Sequence, residues 1–204
     1  MPEDIEIYCA CMERVRHHVS VADTVFAGRI DIGNADLNTE LIFLHFRKAL
    51  EGIAFSSISA NREQYAAARA GFATEWNARR MLGFVENVNP NFYPVPLQPP
   101  RETAPGHKYF DRVKDGFLTK EDFVSLYDIS AEVLHSPNPY NPAGFTIDFK
   151  HTVDVWSTRI KALLTWHLVQ LLGGDKLWVA RVANEGAIHA WSAVGRGPFV
   201  VEPP

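Results

Sequence analysis

The feature that most constrains the fold is a series of long segments in which apolar residues recur every three or four positions. This period is typical of a helix with one buried face. It runs through residues 3–27, 38–69, 75–88, 119–135 and 147–172. Near the C-terminal end, two short segments rich in β-branched and aromatic residues flank a Gly-containing turn, which predicts a β-hairpin over residues 176–194. We therefore expect a mainly α fold, a helical bundle of four to five helices with a C-terminal β-hairpin.

Local signals support several of these boundaries. Thr119 and Asp122 resemble a capping box at the start of the fourth helix. Gly173 and Gly174 are expected to close the fifth. The second helix carries small residues in its middle, which usually marks the close approach of another helix: Ala54, Ser56, Ser57, Ser59 and Ala60.

A proline-rich segment, residues 89–117, separates the third and fourth predicted helices. A segment of this length is either a loop wrapped over the surface or a linker. Its aromatic residues favour the wrapped loop, because an untethered linker has little use for them. We expect the whole chain, residues 1–204, to form a single domain.

Composition excludes some classes of protein. A net charge of -4 lacks the basic excess of a dedicated nucleic-acid binder. The only cysteines, Cys9 and Cys11, would point about 200° apart on a helix, which predicts reduced, partly buried thiols. No secretory signal and no apolar run of about 18 residues is visible, so we expect a cytoplasmic protein without a membrane partner. No phosphate-binding glycine loop, nucleophile elbow or metal-ligand spacing is present, so we predict no cofactor and no metal site.

His135 is the strongest candidate for chemistry, because a side chain that titrates near neutral pH stands where a helix meets a proline-fixed turn. One interpretation is structural, with the imidazole placed against the helix dipole. The other is a site completed by Arg47 and Glu51, which are neighbours on the second helix. That pair is either a solvated surface pair or a buried pair facing His135. The candidate binding residues are Asn61, Tyr65, Asn138 and Tyr140.

Three blocks, residues 46–65, 76–94 and 118–140, resemble a family of small uncharacterised bacterial proteins with an all-helical, HEPN-like organisation. In HEPN domains, an Arg-x4-6-His helix supplies a metal-independent endoribonuclease site that dimerisation usually completes. There the histidine transfers protons and the arginine stabilises phosphate charge. His135 matches the histidine, but residues 127–131 contain no arginine. The resemblance therefore leaves Arg47 as the best replacement cation.

Two functions follow from this resemblance. The first is a non-catalytic HEPN-like binding or assembly module, such as a subunit of a bacterial defence or toxin–antitoxin-like system. The alternative is a metal-independent endoribonuclease that uses His135 with Arg47 and Glu51. The expected partner is a second copy or another protein, with RNA as a more weakly supported partner. An exposed edge strand such as Lys176–Ala183 is the predicted means of pairing.

Overall fold

A computed structural model of the chain describes residues 2–62, 65–66, 77–104, 107–136, 146–171 and 176–194. These residues contain five helices and six strands. The helices are α1 (Pro2–Phe26), α2 (Ala35–Ala60), α3 (Ala78–Val88), α4 (Lys120–Leu134) and α5 (Val153–Leu164). The strands are β1 (Val95–Pro96), β2 (Arg101–Ala104), β3 (His107–Tyr109), β4 (Trp166–Gln170), β5 (Lys176–Arg181) and β6 (His189–Val194). The mainly α class is confirmed.

The first two helices form an antiparallel pair at the centre of the bundle. Asn34 caps α2 by accepting a hydrogen bond from the backbone N–H of Leu37 at 3.0 Å. At the other end of the pair, Arg62 lies 3.8 Å from carboxylates near the start of α1. The core is built from apolar side chains at helical spacing on four helices: Tyr8, Met12, Val15 and Val19; Phe46, Leu50 and Ile53; Phe123 and Leu126; and Trp156 and Ile160.

An antiparallel sheet in the order β1-β4-β5-β6 covers one side of this core. Alternate residues of the strands face the helices, among them Val169, Trp178 and Ala180. The opposite face carries a smaller apolar cluster of Leu97, Leu168, Leu177 and Val179. The predicted hairpin is therefore present as β5 and β6, and it forms half of a four-stranded sheet.

The predicted helix over residues 147–172 is wrong in its extent. Only Val153–Leu164 is helical, and the chain then enters strand β4. The burial of this strand on both faces explains the error, because such a strand has no polar alternation to distinguish it from a buried helix. The second helix begins at Ala35 rather than 38 and ends at Ala60, while residues 63–64 and 67–76 lie outside the described part of the chain.

In its described residues, 89–104 and 107–117, the proline-rich segment contacts the rest of the fold at several points. Phe92 is buried in the main core. Tyr93 donates a hydrogen bond to the carbonyl of Leu118 at 3.0 Å. The segment also contains the short strands β1, β2 and β3, which the sequence did not predict. No helix in the described ranges has the length and apolar character that a membrane span requires.

Candidate functional site

Arg47 and Glu51 lie on one face of α2 and form the ion pair that their spacing predicted. Arg47 Nε is 3.3 Å from Glu51 Oε1, and the two side chains are 28% and 27% exposed. Arg47 Nη2 also donates to the Tyr127 hydroxyl at 2.9 Å. Its guanidinium carbon lies 4.4 Å from the centre of the Tyr127 ring, in cation–π geometry. Arg47 therefore joins α2 to α4. Its side chain is partly buried, so its ion pair with Glu51 is intermediate between the solvated surface pair and the buried pair that the sequence left open.

The surroundings of Tyr127 keep its hydroxyl protonated. Burial raises the pKa of Tyr127, although the neighbouring Arg47 charge acts in the opposite direction. The next residue, Asp128, is paired with Arg79 of α3, whose Nη1 donates to its two carboxylate oxygens at 2.9 and 3.2 Å. Two adjacent residues of α4 thus attach this helix to α2 and to α3 through arginine side chains.

His135 is the C-cap residue of α4, and its side chain is exposed. Its backbone N–H donates to the carbonyl of Glu132 at 3.3 Å. Tyr127, the residue that Arg47 contacts, precedes His135 by eight positions, which is about 12 Å along a helix axis. The structure therefore brings Arg47 and Glu51 together and directs Arg47 at Tyr127 rather than at His135.

Two of the four candidate binding residues lie in the described part of the chain, and both are buried. Asn61 and Tyr65 are 1% and 0% exposed. Asn61 Nδ2 donates to the carbonyl of Ser57 at 3.0 Å, and Asn61 Oδ1 accepts from Asn89 Nδ2 at 3.2 Å. Asn89 Nδ2 also donates to the carbonyl of Gln170 in β4 at 2.8 Å. Asn61 thus belongs to a buried junction between α2 and the sheet. Asn138 and Tyr140 lie outside the described residues.

A buried pair that sequence reasoning missed joins α1 to the sheet. His167 of β4 is fully buried, and its Nδ1 donates to the carbonyl of Leu164 at 2.8 Å, since a carbonyl oxygen only accepts. Its Nε2 then accepts the hydroxyl proton of Tyr8. Burial lowers the pKa of His167 to about 4, so the ring is neutral. The complete burial of both side chains makes this pair a structural element.

A cavity of about 470 Å³ between α1 and α2 was also missed. We call it the α1–α2 cavity; its charged and polar lining includes Arg14, His18, Lys48, Glu51 and Arg62. A signal for it exists in the sequence, because Ile7, Cys11, Arg14 and His18 are spaced four, three and four residues apart and so share one face of α1. Cys11 is a free thiol, as is Cys9, and both are partly buried.

No protein-family model, curated protein or solved structure significantly matches this chain. The HEPN-like resemblance therefore stays a prediction from the three sequence blocks and from the position of His135.

Proposed function

We propose that the chain acts in the bacterial cytoplasm as a non-catalytic HEPN-like binding or assembly module, in a system of the defence or toxin–antitoxin type. The observation that supports this proposal best is that the Arg47 side chain is already bound by other residues of the chain. Its guanidinium is held by the Tyr127 hydroxyl, the Tyr127 ring and the Glu51 carboxylate. The cation that would have to replace the missing arginine is thus part of the contact between two helices.

Metal-independent RNA cleavage needs a proton-transfer group and a cation at the same phosphate. His135 is an exposed helix-capping residue, and the Tyr127 contact point of Arg47 is two helical turns earlier in α4. To reach a phosphate beside His135, Arg47 would have to leave both of its partners. Loss of a preorganised donor of this kind costs a factor of about 10²–10³ in rate. The arrangement favours the non-catalytic alternative.

The sheet supplies a surface for assembly. Within the described residues, β6 has a neighbouring strand on one side only, β5. An edge strand with free backbone donors and acceptors can pair with a strand of another chain. Trp191 of this strand is 46% exposed. The partner is a second copy of the chain or another protein that adds a strand to this edge.

An RNA cleavage assay in EDTA tests the proposal against the endoribonuclease alternative. We expect the wild type, His135→Ala and Arg47→Gln to leave a structured and a single-stranded RNA uncut, beside a metal-independent ribonuclease as positive control. Because the His135 side chain is exposed, His135→Ala should also change the free energy of unfolding by only about 0.5 kcal/mol. Cleavage by the wild type that His135→Ala abolishes, with an unchanged melting temperature, would establish the enzyme and refute the module.

A further inference from the structure

The α1–α2 cavity is elongated along its two helices. At one end, Nδ1 of His18 lies 2.9 Å from Nδ1 of His45. At the other end, Arg62 Nη1 lies 3.8 Å from the Asp4 carboxylate. The stripe of α1 that lines the cavity runs from Ile7 to His18, which is about 16 Å along a helix axis. The cavity is therefore a trough about three helical turns long, between walls that hold their side chains at fixed spacing.

One end of this trough carries positive charge that the protein does not neutralise. Among the described residues, no carboxylate is paired with Arg14 or Lys48. The carboxylate in the lining, Glu51, already binds Arg47 at 3.3 Å. The cation at the other end, Arg62, lies within 3.8 Å of two carboxylates of α1. A bound anion would thus be attracted to one end of the trough, between the two helices.

The ring of His18 adds no charge to this end. Its pKa is lowered to about 4, first by burial, then by His45 and His17, and further by the charges of Lys48 and Arg14. At neutral pH the ring is therefore uncharged. The charges that a ligand meets at this end are those of Arg14 and Lys48.

The middle of the trough is apolar. Gly52 leaves its floor without a side chain, and Cys11, Phe55, Ile58 and Ile7 line it toward the far end. Ile7 is 38% exposed, although it is a large apolar side chain. An inorganic anion would leave this part of the trough unused. The lining is instead complementary to a ligand with one charged end and a long apolar body.

The size of the trough decides between a single extended chain and a partner helix. A helix is about 10–12 Å across, so three turns of it would occupy more than about 1,200 Å³. The cavity has a volume of about 470 Å³ over that length, which is too narrow for a helix to enter. This volume is typical of small-ligand sites, which span about 300–1,000 Å³. A single acyl chain fits both its length and its width.

We propose that the α1–α2 cavity binds a fatty acid, with the carboxylate between Arg14 and Lys48 and the acyl chain along Gly52 and Phe55 toward Ile7. The carboxylate accepts charge-assisted hydrogen bonds from the two cations. Each methylene that enters the trough loses contact with water and adds to the affinity. This inference is independent of the proposed assembly function.

Titration calorimetry on the full chain, with octanoate, decanoate and dodecanoate as monomers in solution, tests the proposal. Each added methylene should tighten binding about fourfold, because it is buried against the apolar lining. Acetate has the carboxylate without the chain and should give no heat at millimolar concentration. Decan-1-ol has the chain without the charge and should bind more weakly than decanoate, by about tenfold for each charge-assisted contact that it lacks.

A double variant tests the charged end. Arg14→Gln/Lys48→Gln should weaken binding of decanoate by about tenfold for each contact removed and leave the affinity for decan-1-ol unchanged. The matched control Arg29→Gln/Arg80→Gln, which removes two exposed charges outside the cavity, should bind decanoate as the wild type does. The side chains of Arg14 and Lys48 are exposed, so an unchanged melting temperature without ligand will show that the variant is folded.

A second pair of variants tests the direction of the acyl chain. Ile7→Asn replaces an apolar side chain at the far end of the trough by a polar one. It should reduce the gain in affinity from decanoate to dodecanoate. The control is Ile32→Asn, because Ile32 is 51% exposed and lies outside the cavity. This control should keep the wild-type gain.

Four results would each overturn the proposal. The first is absence of heat with monomeric dodecanoate at millimolar concentration, and the second is an affinity that does not depend on chain length. The third is an equal loss of decanoate affinity in the two double variants, which would indicate unspecific attraction. The fourth is co-sedimentation of the wild type with phosphatidylglycerol vesicles without binding of monomeric dodecanoate, which would assign the cations and the apolar lining to a membrane surface.

Discussion

At the scale of the residue, Gly52 sets the distance between the two central helices. A Cβ atom added to it would lie 2.7 Å from Val15 Cγ2, closer than real Cβ contacts. Val15 is 1% exposed and β-branched, so its methyl group cannot rotate away without disturbing the core. The small residues in the middle of α2 predicted a close approach of another helix. The structure confirms a close helix contact and places it at Gly52.

Two glycine substitutions separate this packing constraint from helix propensity. Gly83 lies in α3 with nothing within 4 Å of an added Cβ, so Gly83→Ala should stabilise the protein by about 1 kcal/mol through propensity alone. Gly52→Ala gains the same propensity but meets overpacking that costs about 1–3 kcal/mol. In urea unfolding it should therefore be clearly less stable than Gly83→Ala. Equal stabilisation by both substitutions would contradict a tight contact at Val15.

Arg47 shows which contacts of a single residue can be predicted from the sequence. Its pairing with Glu51 was predictable, because side chains four apart on a helix are neighbours. Its contact with Tyr127 was not, since the two residues are 80 positions apart and only the packing of α2 against α4 brings them together. The direction of this long side chain could not be predicted, because it depends on a partner that no local spacing specifies.

At the scale of the element, local chemistry predicted the start of α4. Thr119 accepts a hydrogen bond from the Asp122 N–H at 3.1 Å, as its capping-box pattern indicated. The fifth helix was predicted to extend too far, because Leu163, Leu164, His167, Leu168 and Leu171 continue the helical period into and past strand β4. In that strand, Leu168 and Val169 are buried on opposite faces. Hydrophobic periodicity alone does not distinguish a strand buried on both faces from a buried helix.

The same strand carries the buried His167, which makes the attachment of β4 to α1 sensitive to pH. Its pKa of about 4 in the folded protein lies below the ordinary value of about 6.5. Between these values the unfolded chain binds a proton that the folded chain does not, so stability falls as the pH falls. From pH 7 to pH 5 this group should cost about 2 kcal/mol of the free energy of unfolding.

Urea unfolding at the two pH values measures this loss. His167→Gln has no titrating ring, so its free energy of unfolding should depend on pH less than that of the wild type by about 2 kcal/mol over this interval. Tyr8→Phe is the control, because it removes the hydroxyl while burial, the main cause of the lowered pKa, remains. Tyr8→Phe should therefore keep most of the wild-type dependence of the free energy of unfolding on pH. An unchanged dependence in His167→Gln would assign the effect to other groups.

At the scale of the whole molecule, the order of the strands in the sheet could not be predicted from the sequence. The hairpin over 176–194 was predicted, but its two sheet neighbours, β4 and β1, come from a segment predicted to be helical and from the proline-rich segment. The expected use of Lys176–Ala183 as an exposed edge is consequently wrong, since β5 is hydrogen-bonded on one side to β4 and on the other to β6. Long-range pairing of this kind depends on the complete topology.

The free edge of the sheet in the described part of the chain is β6, and dimerisation should depend on it. A lysine on an edge strand opposes pairing with a second chain, because its charge would be held against the incoming strand. Ser192 of β6 is exposed, and so is Asn184 in the hairpin turn. In light scattering at micromolar concentration, the wild type should dimerise, Ser192→Lys should be shifted to monomer, and Asn184→Lys should behave as the wild type. A monomeric wild type, or a dimer that Ser192→Lys leaves intact, would exclude this edge as the homodimer interface.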